Sequence, residues 1–368
     1  MRIETNMKKV LVITTVGLDY EGITSVIYNY TNAMDKSDLE ISFLTFGDLN
    51  LKLKEKFEKM GEVFLVSHRK RNVLNYIIDM KKLLKQKEYD VVHVHGNSGT
   101  MFIEVLVSKL CNIKKIIVHC HNTSCSHLIA NMLLKLPMNI MSDVRIACSK
   151  EAGEWLYGRF EHVVFNNAVD LNLFKYDDAV RNECRKELGI DNQFLLGHVG
   201  HFREQKNHSF LIDIFSKFRE INLDSALLLL SDGPDYDKIK QKVCDLGLSE
   251  VVYFVGRRDD IHRWYQAMDL FLFPSLWEGL GMVLIEAQAS GLPCITSENI
   301  PVGAKVTDSM LQINLAEQDR WIEEMERVEQ TSKEISRKEV SQYNISLIDA
   351  CGYSISTEAD KLRELYLV

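Results

Sequence analysis

Glu278 and Glu286 stand eight residues apart in the stretch PSLWEGLGMVLIEAQASGLPCI, with Gly279 and Gly281 between them. The stretch reads as the end of an apolar strand, a glycine turn and the start of a helix. Glycines in such a turn let a ligand come close to the backbone. The unpaired N–H groups of the helix start make an anion site. One acid closes the strand and the other lies about one turn inside the helix, where its carboxylate can face a polar group next to a phosphate, such as a ribose hydroxyl. The bland alternative is a strand–turn–helix with two incidental acids. The glycines favour phosphate binding, since glycine-rich strand-to-helix turns hold phosphate by a known mechanism.

Histidines are the second chemical signal. VHCHNTSCSH (118–127) holds three histidines and two cysteines. Zinc is the obvious reading, but His119, Cys120 and His121 are consecutive and no second spaced pair exists, so no metal site is expected. His119 falls within a strand and reads as a core residue. Cys120 and Cys125 read as small buried residues. His93 and His95 lie two apart in VVHVHG, which puts them on one face of a strand. His93 then belongs to the core, and His95 sits at the strand end. Asp235 and Asp237 resemble a metal-binding pair, yet they precede Ile239, Val243 and Leu246 at helical spacing and read as first-turn acids.

These residues need a scaffold that gathers strand ends. KKVLVITTV, LEISFLTF, YDVVHVHG, KKIIVH and SDVRIACS are apolar runs alternating with amphipathic helices. The pattern breaks near residues 166–180 and restarts with FLLGHVG, SALLLLSDG, VVYFVG, LFLFPS and LPCITS. Continuous apolar strands alternating with helices predict α/β architecture, with parallel sheets covered on both faces. The expected domains are 1–170 and 171–354, each Rossmann-like and doubly wound. A last helix, about 355–368, can cap either half, the first included. In such sheets ligands sit beyond the carboxyl ends of the strands. That rule selects Gly17, His95, His121, Ser149, His201, Asp232, Gly256 and Glu278.

Bulk properties narrow the function. The chain has 368 residues, 46% apolar and 26% charged, which suits two soluble domains. No apolar run is long enough to span a bilayer, and the N-terminus lacks a signal-peptide pattern. Eight scattered cysteines suggest a reducing cytoplasm. The net charge of −8 is uneven: residues 1–170 hold 22 basic and 19 acidic residues, residues 171–368 hold 22 and 33. Nucleic acid is not an expected partner of an acidic chain without a recognition motif. The basic cluster from Lys52 to Lys87 reads either as solvated helix faces or as a contact with an anionic membrane.

Glu278–x7–Glu286 resembles the signature of the retaining glycosyltransferases of family four, which have the GT-B fold. Bacterial enzymes of exopolysaccharide and capsule assembly are the most similar members. YDVVHVHGNSGT, VHCHNTSCSH, ACSKEAGEWLYG, NNAVDLNLF, GHVGHFREQKNH and LLLSDGP follow in that family's order. The resemblance implies two facing Rossmann-like domains and an interdomain cleft. It implies a hexosyl unit moving from a nucleotide sugar, UDP foremost, to the hydroxyl of a sugar or lipid-linked acceptor. It gives Glu278 the donor sugar and Glu286 the ribose, with Gly279, Leu280, Gly281, Met282 and Val283 cradling sugar and phosphate. Lys206 matches a lysine that holds the diphosphate. His201 stands where an arginine is usual, and Arg203 can substitute. Gly22, Asp232, Gly256 and Arg257 complete the donor set. His121 matches a catalytic histidine aimed at the donor sugar. Glu21, His95 and Asn97 fall on the acceptor side. Neither metal nor cofactor is implied, and the expected location is cytoplasmic, peripheral at the inner face of the plasma membrane. An epimerase on the same fold, a non-catalytic sugar-nucleotide binder and a zinc-binding module stay open as alternatives.

Overall fold

The computed structural model describes residues 7–18, 22–47, 50–332 and 334–368. The chain folds as two compact units. The first runs to Val169 and resumes over Ser354–Val368; the second is Asp170–Tyr353.

The first unit contains β1 (Lys8–Thr14), α1 (Gly22–Ala33), β2 (Leu39–Phe46), α2 (Leu51–Glu58), β3 (Glu62–Val66), α3 (Val73–Lys87) and β4 (Val91–Gly96). It continues with α4 (Phe102–Leu110), β5 (Lys115–Cys120), α5 (Leu128–Met141), β6 (Val144–Ala147), α6 (Lys150–Tyr157) and β7 (Val163–Val164). The strands form one sheet in the order β3-β2-β1-β4-β5-β6-β7, and every pairing is parallel. β4 is buried along its whole length. This is why the strands read as unbroken apolar runs: helices cover both faces. Tyr76 and Met80 of α3, Val105 of α4, Met138 of α5 and Leu156 of α6 fill one face.

The second unit contains α7 (Leu171–Phe174), α8 (Asp178–Leu188), β8 (Phe194–Val199), α9 (His208–Ile221), β9 (Ser225–Leu230), α10 (Tyr236–Asp245) and β10 (Val252–Gly256). Then come α11 (Ile261–Ala267), β11 (Leu270–Phe273), α12 (Met282–Ala289), β12 (Cys294–Ser297), β13 (Met310–Ile313), α13 (Gln318–Thr331) and α14 (Arg337–Ala350). Its sheet is β10-β9-β8-β11-β12-β13, again parallel. The final helix, α15 (Ile355–Leu367), returns to the first unit. Ala359, Leu362 and Tyr366 pack there with Ile23, Ile27 and Tyr30 of α1. The Ile355 N–H donates to the Val169 carbonyl at 2.9 Å and ties the helix down.

Both sheets reverse their strand order at one place, between β1 and β4 and between β8 and β11. Chains leaving neighbouring strands there turn to opposite faces and open a crevice at the carboxyl edge.

Candidate active site

At the second reversal point the loops after β8 and β11 are stitched together. The Leu276 N–H donates to the Gln205 carbonyl at 2.8 Å, and Gln205 Nε2 returns a bond to the Trp277 carbonyl at 2.8 Å. Asn207 Nδ2 donates to the Pro274 carbonyl. Phe202 anchors the first loop: it is fully buried, its N–H donates to the Asp232 carbonyl at 2.8 Å, and its ring stacks on His208. These bonds hold Lys206 against Glu278, Nζ to Oε1 at 2.5 Å. The two side chains are 15% and 8% exposed. Lys206 also lies 4.7 Å from the Phe273 ring centroid. Such a pair balances large desolvation costs against a strong attraction, and removing either partner strands a charge. The motifs point to separate tasks for the two residues; the structure makes them one ion pair.

Beyond Glu278 the chain enters the glycine turn. Gly281 has φ of 80°, caps α12 and leaves its start without a side-chain cap. Gly279 is different. A Cβ there would meet nothing within 4 Å, and its φ is not in the left-handed region. The space beside its Cα is open. Leu280, Met282 and Val283 are half-buried around the turn.

Glu286 points from α12 towards α11, where the Tyr265 hydroxyl donates to Oε2 at 2.9 Å. Burial raises its pKa to about 7, against the lowering effect of that bond. Tyr265 was not legible as a site residue; IHRWYQA carries no motif and lies 21 positions upstream.

The remaining second-unit residues follow the same edge, because β10, β9 and β8 adjoin β11 in order. His201 Nδ1 lies 3.1 Å from Asp232 Oδ1, with both side chains more than a third exposed. Arg203 is exposed on the Lys206 loop. Gly256 closes β10 with φ of 74°, and exposed Arg257 follows. Gly22 starts α1 and belongs to the first unit. Glu21 lies outside the described residues. Asp235 caps α10 and Asp237 sits in its first turn.

In the first unit the register of β4 and β5 sets His95 opposite His119, and His93, His95, His119 and His121 pack as one stack. Ring centroids are 4.0 Å apart for His93–His95 and 4.1 Å for His119–His121. His95 Nδ1 meets His121 Nε2 at 2.9 Å, and His93 Nδ1 meets the Tyr366 hydroxyl at 2.7 Å. Burial pushes the pKa of His93 and of His121 down to about 3, and those of His95 and His119 well below normal. His93 Nε2, both nitrogens of His119 and His121 Nδ1 are covered without a partner. Two expectations need correction. His95 is 3% exposed and sealed by His121, so it does not line an open surface. His121 does not present a free imidazole at the strand edge: one nitrogen faces His95 and the other is covered. Asn97 Oδ1 is likewise buried and unpartnered.

Among the described residues, His93, His95 and His119 are the only group whose ligand atoms converge closely enough for a metal ion, within 4.8 Å. The His93 and His119 rings are parallel within 3°, and the His95 ring is tilted by 35° to each. Ligands of a tetrahedral ion instead aim their lone pairs at one centre. The stack is a packed imidazole cluster as it stands. A cavity of about 1130 Å³ lies elsewhere, lined by Phe194, Asp224, Asp269 and Cys294. Those residues mark the amino-terminal edge of the second sheet, opposite to the site.

Two doubly wound units with parallel sheets, the second carrying the Lys206–Glu278 pair beside the start of α12, define an α/β protein. Solved structures place the fold more closely. HepE of Anabaena, crystallised with UDP, superposes with a TM-score of 0.77 over 98% of this chain and 99% of its own, at 18% identity. The sucrose-phosphate synthase of Thermosynechococcus elongatus gives 0.71 over 98% of both chains, at 16% identity. The architecture is the GT-B fold. The model of Glycosyltransferase Family 4 matches residues 20–173 and that of Glycosyl transferases group 1 matches residues 180–344. The chain belongs to the group 1, family 4 glycosyltransferases. The glycosyltransferase EpsF of Bacillus subtilis is 29% identical over 98% of this chain and its own full length. An Escherichia coli UDP-Gal:α-D-GlcNAc-diphosphoundecaprenol α-1,3-galactosyltransferase is 26% identical over 87% of this chain and 89% of its own.

Proposed function

We propose that this glycosyltransferase moves a hexosyl unit from a UDP-sugar to a hydroxyl of a lipid-linked sugar during polysaccharide assembly, with retention at the anomeric carbon. The observation that carries the reading is the Lys206–Glu278 pair beside the Gly279–Gly281 turn. Lys206, Arg203 and the start of α12 hold the diphosphate. Glu286, backed by Tyr265, accepts from the ribose. Glu278 binds a hydroxyl of the donor hexose.

A double displacement needs a carboxylate beneath the sugar, and residues 118–127 contain none. Same-face attack is therefore preferred. The bond from the anomeric carbon to phosphate oxygen breaks, the acceptor oxygen bonds to that carbon from the same side, and its proton passes to the departing diphosphate. Lysine and helix-start N–H groups supply the positive charge a metal would otherwise bring, which makes the reaction metal-independent. The Escherichia coli relative is named for a diphosphoundecaprenol acceptor. That name and the Lys52–Lys87 cluster support work at the inner face of the plasma membrane.

The Glu286 pKa gives a test. Its carboxyl is mostly protonated at about pH 6 and ionised at about pH 8. A charged acceptor makes the stronger hydrogen bond, by about 1 kcal/mol. Calorimetry with a UDP-hexose, whose diphosphate does not titrate in this range, should show about fivefold tighter binding at the higher pH. Glu286→Gln should bind equally at both. A flat wild-type profile would remove Glu286 from the nucleotide site.

A further inference from the structure

Helix α5 is packed inside out. Its sequence is LIANMLLKLPMNIM, and the residues it buries are Asn131, Met138 and Asn139. Both asparagines are used inward: Asn131 Oδ1 accepts from the Gly99 N–H at 2.7 Å, and Asn139 Nδ2 donates to the Leu156 carbonyl at 3.2 Å. Leu128, Ile129, Met132, Leu133, Leu136 and Ile140 are between 55% and 74% exposed. Their spacing places them on one stripe of the helix. A surface helix normally turns its apolar stripe to the core, and a contiguous exposed apolar patch marks an interaction surface.

The surroundings choose the partner. α5 has no acidic residue, and its one charge, Lys135, donates to the Trp155 carbonyl. α4 packs between α5 and α3 on the same face of the sheet. α3 exposes Leu74 and Ile78, at 71% and 61%, and then Lys81, Lys82 and Lys85. Residues 69–87 contain seven Lys or Arg and one acid, Asp79. An apolar stripe with basic flanks suits the interface of an anionic bilayer, where acyl chains take the stripe and lipid phosphates take the lysines. A second copy of the chain would set like charges against each other.

We propose that α5 and α3 together form a docking face for an anionic lipid bilayer. Its purpose rests on the lipid-linked acceptor reading, but the burial pattern stands without it. Flotation of the full chain with phosphatidylglycerol–phosphatidylcholine vesicles, and with phosphatidylcholine alone, tests it at low and high salt. Wild type should float with the anionic vesicles. Ile129→Ser/Leu133→Ser/Leu136→Ser, all at exposed sites, should lower binding by about tenfold or more at both salts without lowering the melting temperature. Lys81→Gln/Lys82→Gln/Lys85→Gln should lower it at low salt only. Wild type that stays unbound at low salt, or a serine variant that binds like wild type, would overturn the proposal. So would a serine variant whose sole effect is to convert a dimer to a monomer in light scattering. Transfer to a diphospholipid-linked sugar acceptor is read separately: its absence in vesicle-bound wild type counts against the proposed reaction, not against docking.

Discussion

Glu278→Gln should lower glycosyl transfer by about a hundredfold or more, the scale of losing one positioned catalytic group, while affinity for UDP holds or tightens. Without ligand, the Glu278 carboxylate neutralises Lys206 at 2.5 Å. Glutamine keeps the shape but removes the charge, so the ammonium is freer to bind phosphate. The hexose, in contrast, loses a charged acceptor whose hydrogen bonds must strengthen as the anomeric carbon becomes electron-poor. Interactions made mainly in the transition state appear in turnover rather than in binding. UDP calorimetry beside steady-state kinetics resolves the two. Parallel losses in both would mean that Glu278 only positions Lys206.

Acid should destabilise the first unit well above the pH at which carboxylates titrate. His93 is fully buried and its pKa is about 3, against about 6.5 in an unfolded chain. Between those values the unfolded state binds the extra proton. Stability is therefore complete above about pH 6.5 and is lost as pH falls towards 3. At about pH 4.5, His93 alone costs up to about 3 kcal/mol, and His95, His119 and His121 act in the same direction. That is a large share of a typical total of about 5–15 kcal/mol. In the second unit buried His198 and His208 act in the same direction as His93, while Glu286 works oppositely: its raised pKa of about 7 adds stability as pH falls from 7 towards 4.5. Urea titrations should show the first unit's midpoint falling steeply below about pH 6.5, less so in His93→Phe. A midpoint unchanged down to about pH 4.5 would show that the stack admits water or a proton at little cost.

What the sequence made legible was local. Runs such as KKVLVIT and SALLLL could only be strands covered on both sides, and their alternation with helices implied the doubly wound sheets. Glu278, Gly279, Gly281 and Glu286 could be read together because one turn and one helix hold them all. Long-range pairings were hidden. Nothing near residue 206 announces Glu278, 72 positions on, and nothing near Glu286 announces Tyr265. Period two put His93 with His95, but the register that brings His119 and His121 onto them is a property of the sheet. α15 was visibly amphipathic, yet its partner α1 lies more than 300 residues away. Nothing in LIANMLLKLPMNIM marks its leucines as exposed; only the tertiary structure shows that its asparagines point inward.

Linkage analysis of the product decides whether the proposed hexosyl transfer proceeds with retention. The enzyme is incubated with a UDP-α-hexose and a diphospholipid-linked sugar acceptor, and the new anomeric proton coupling is read by NMR. The expected product is an acceptor longer by one hexose, joined through an α linkage. A β linkage, or donor isomerised with no acceptor extended, would contradict it.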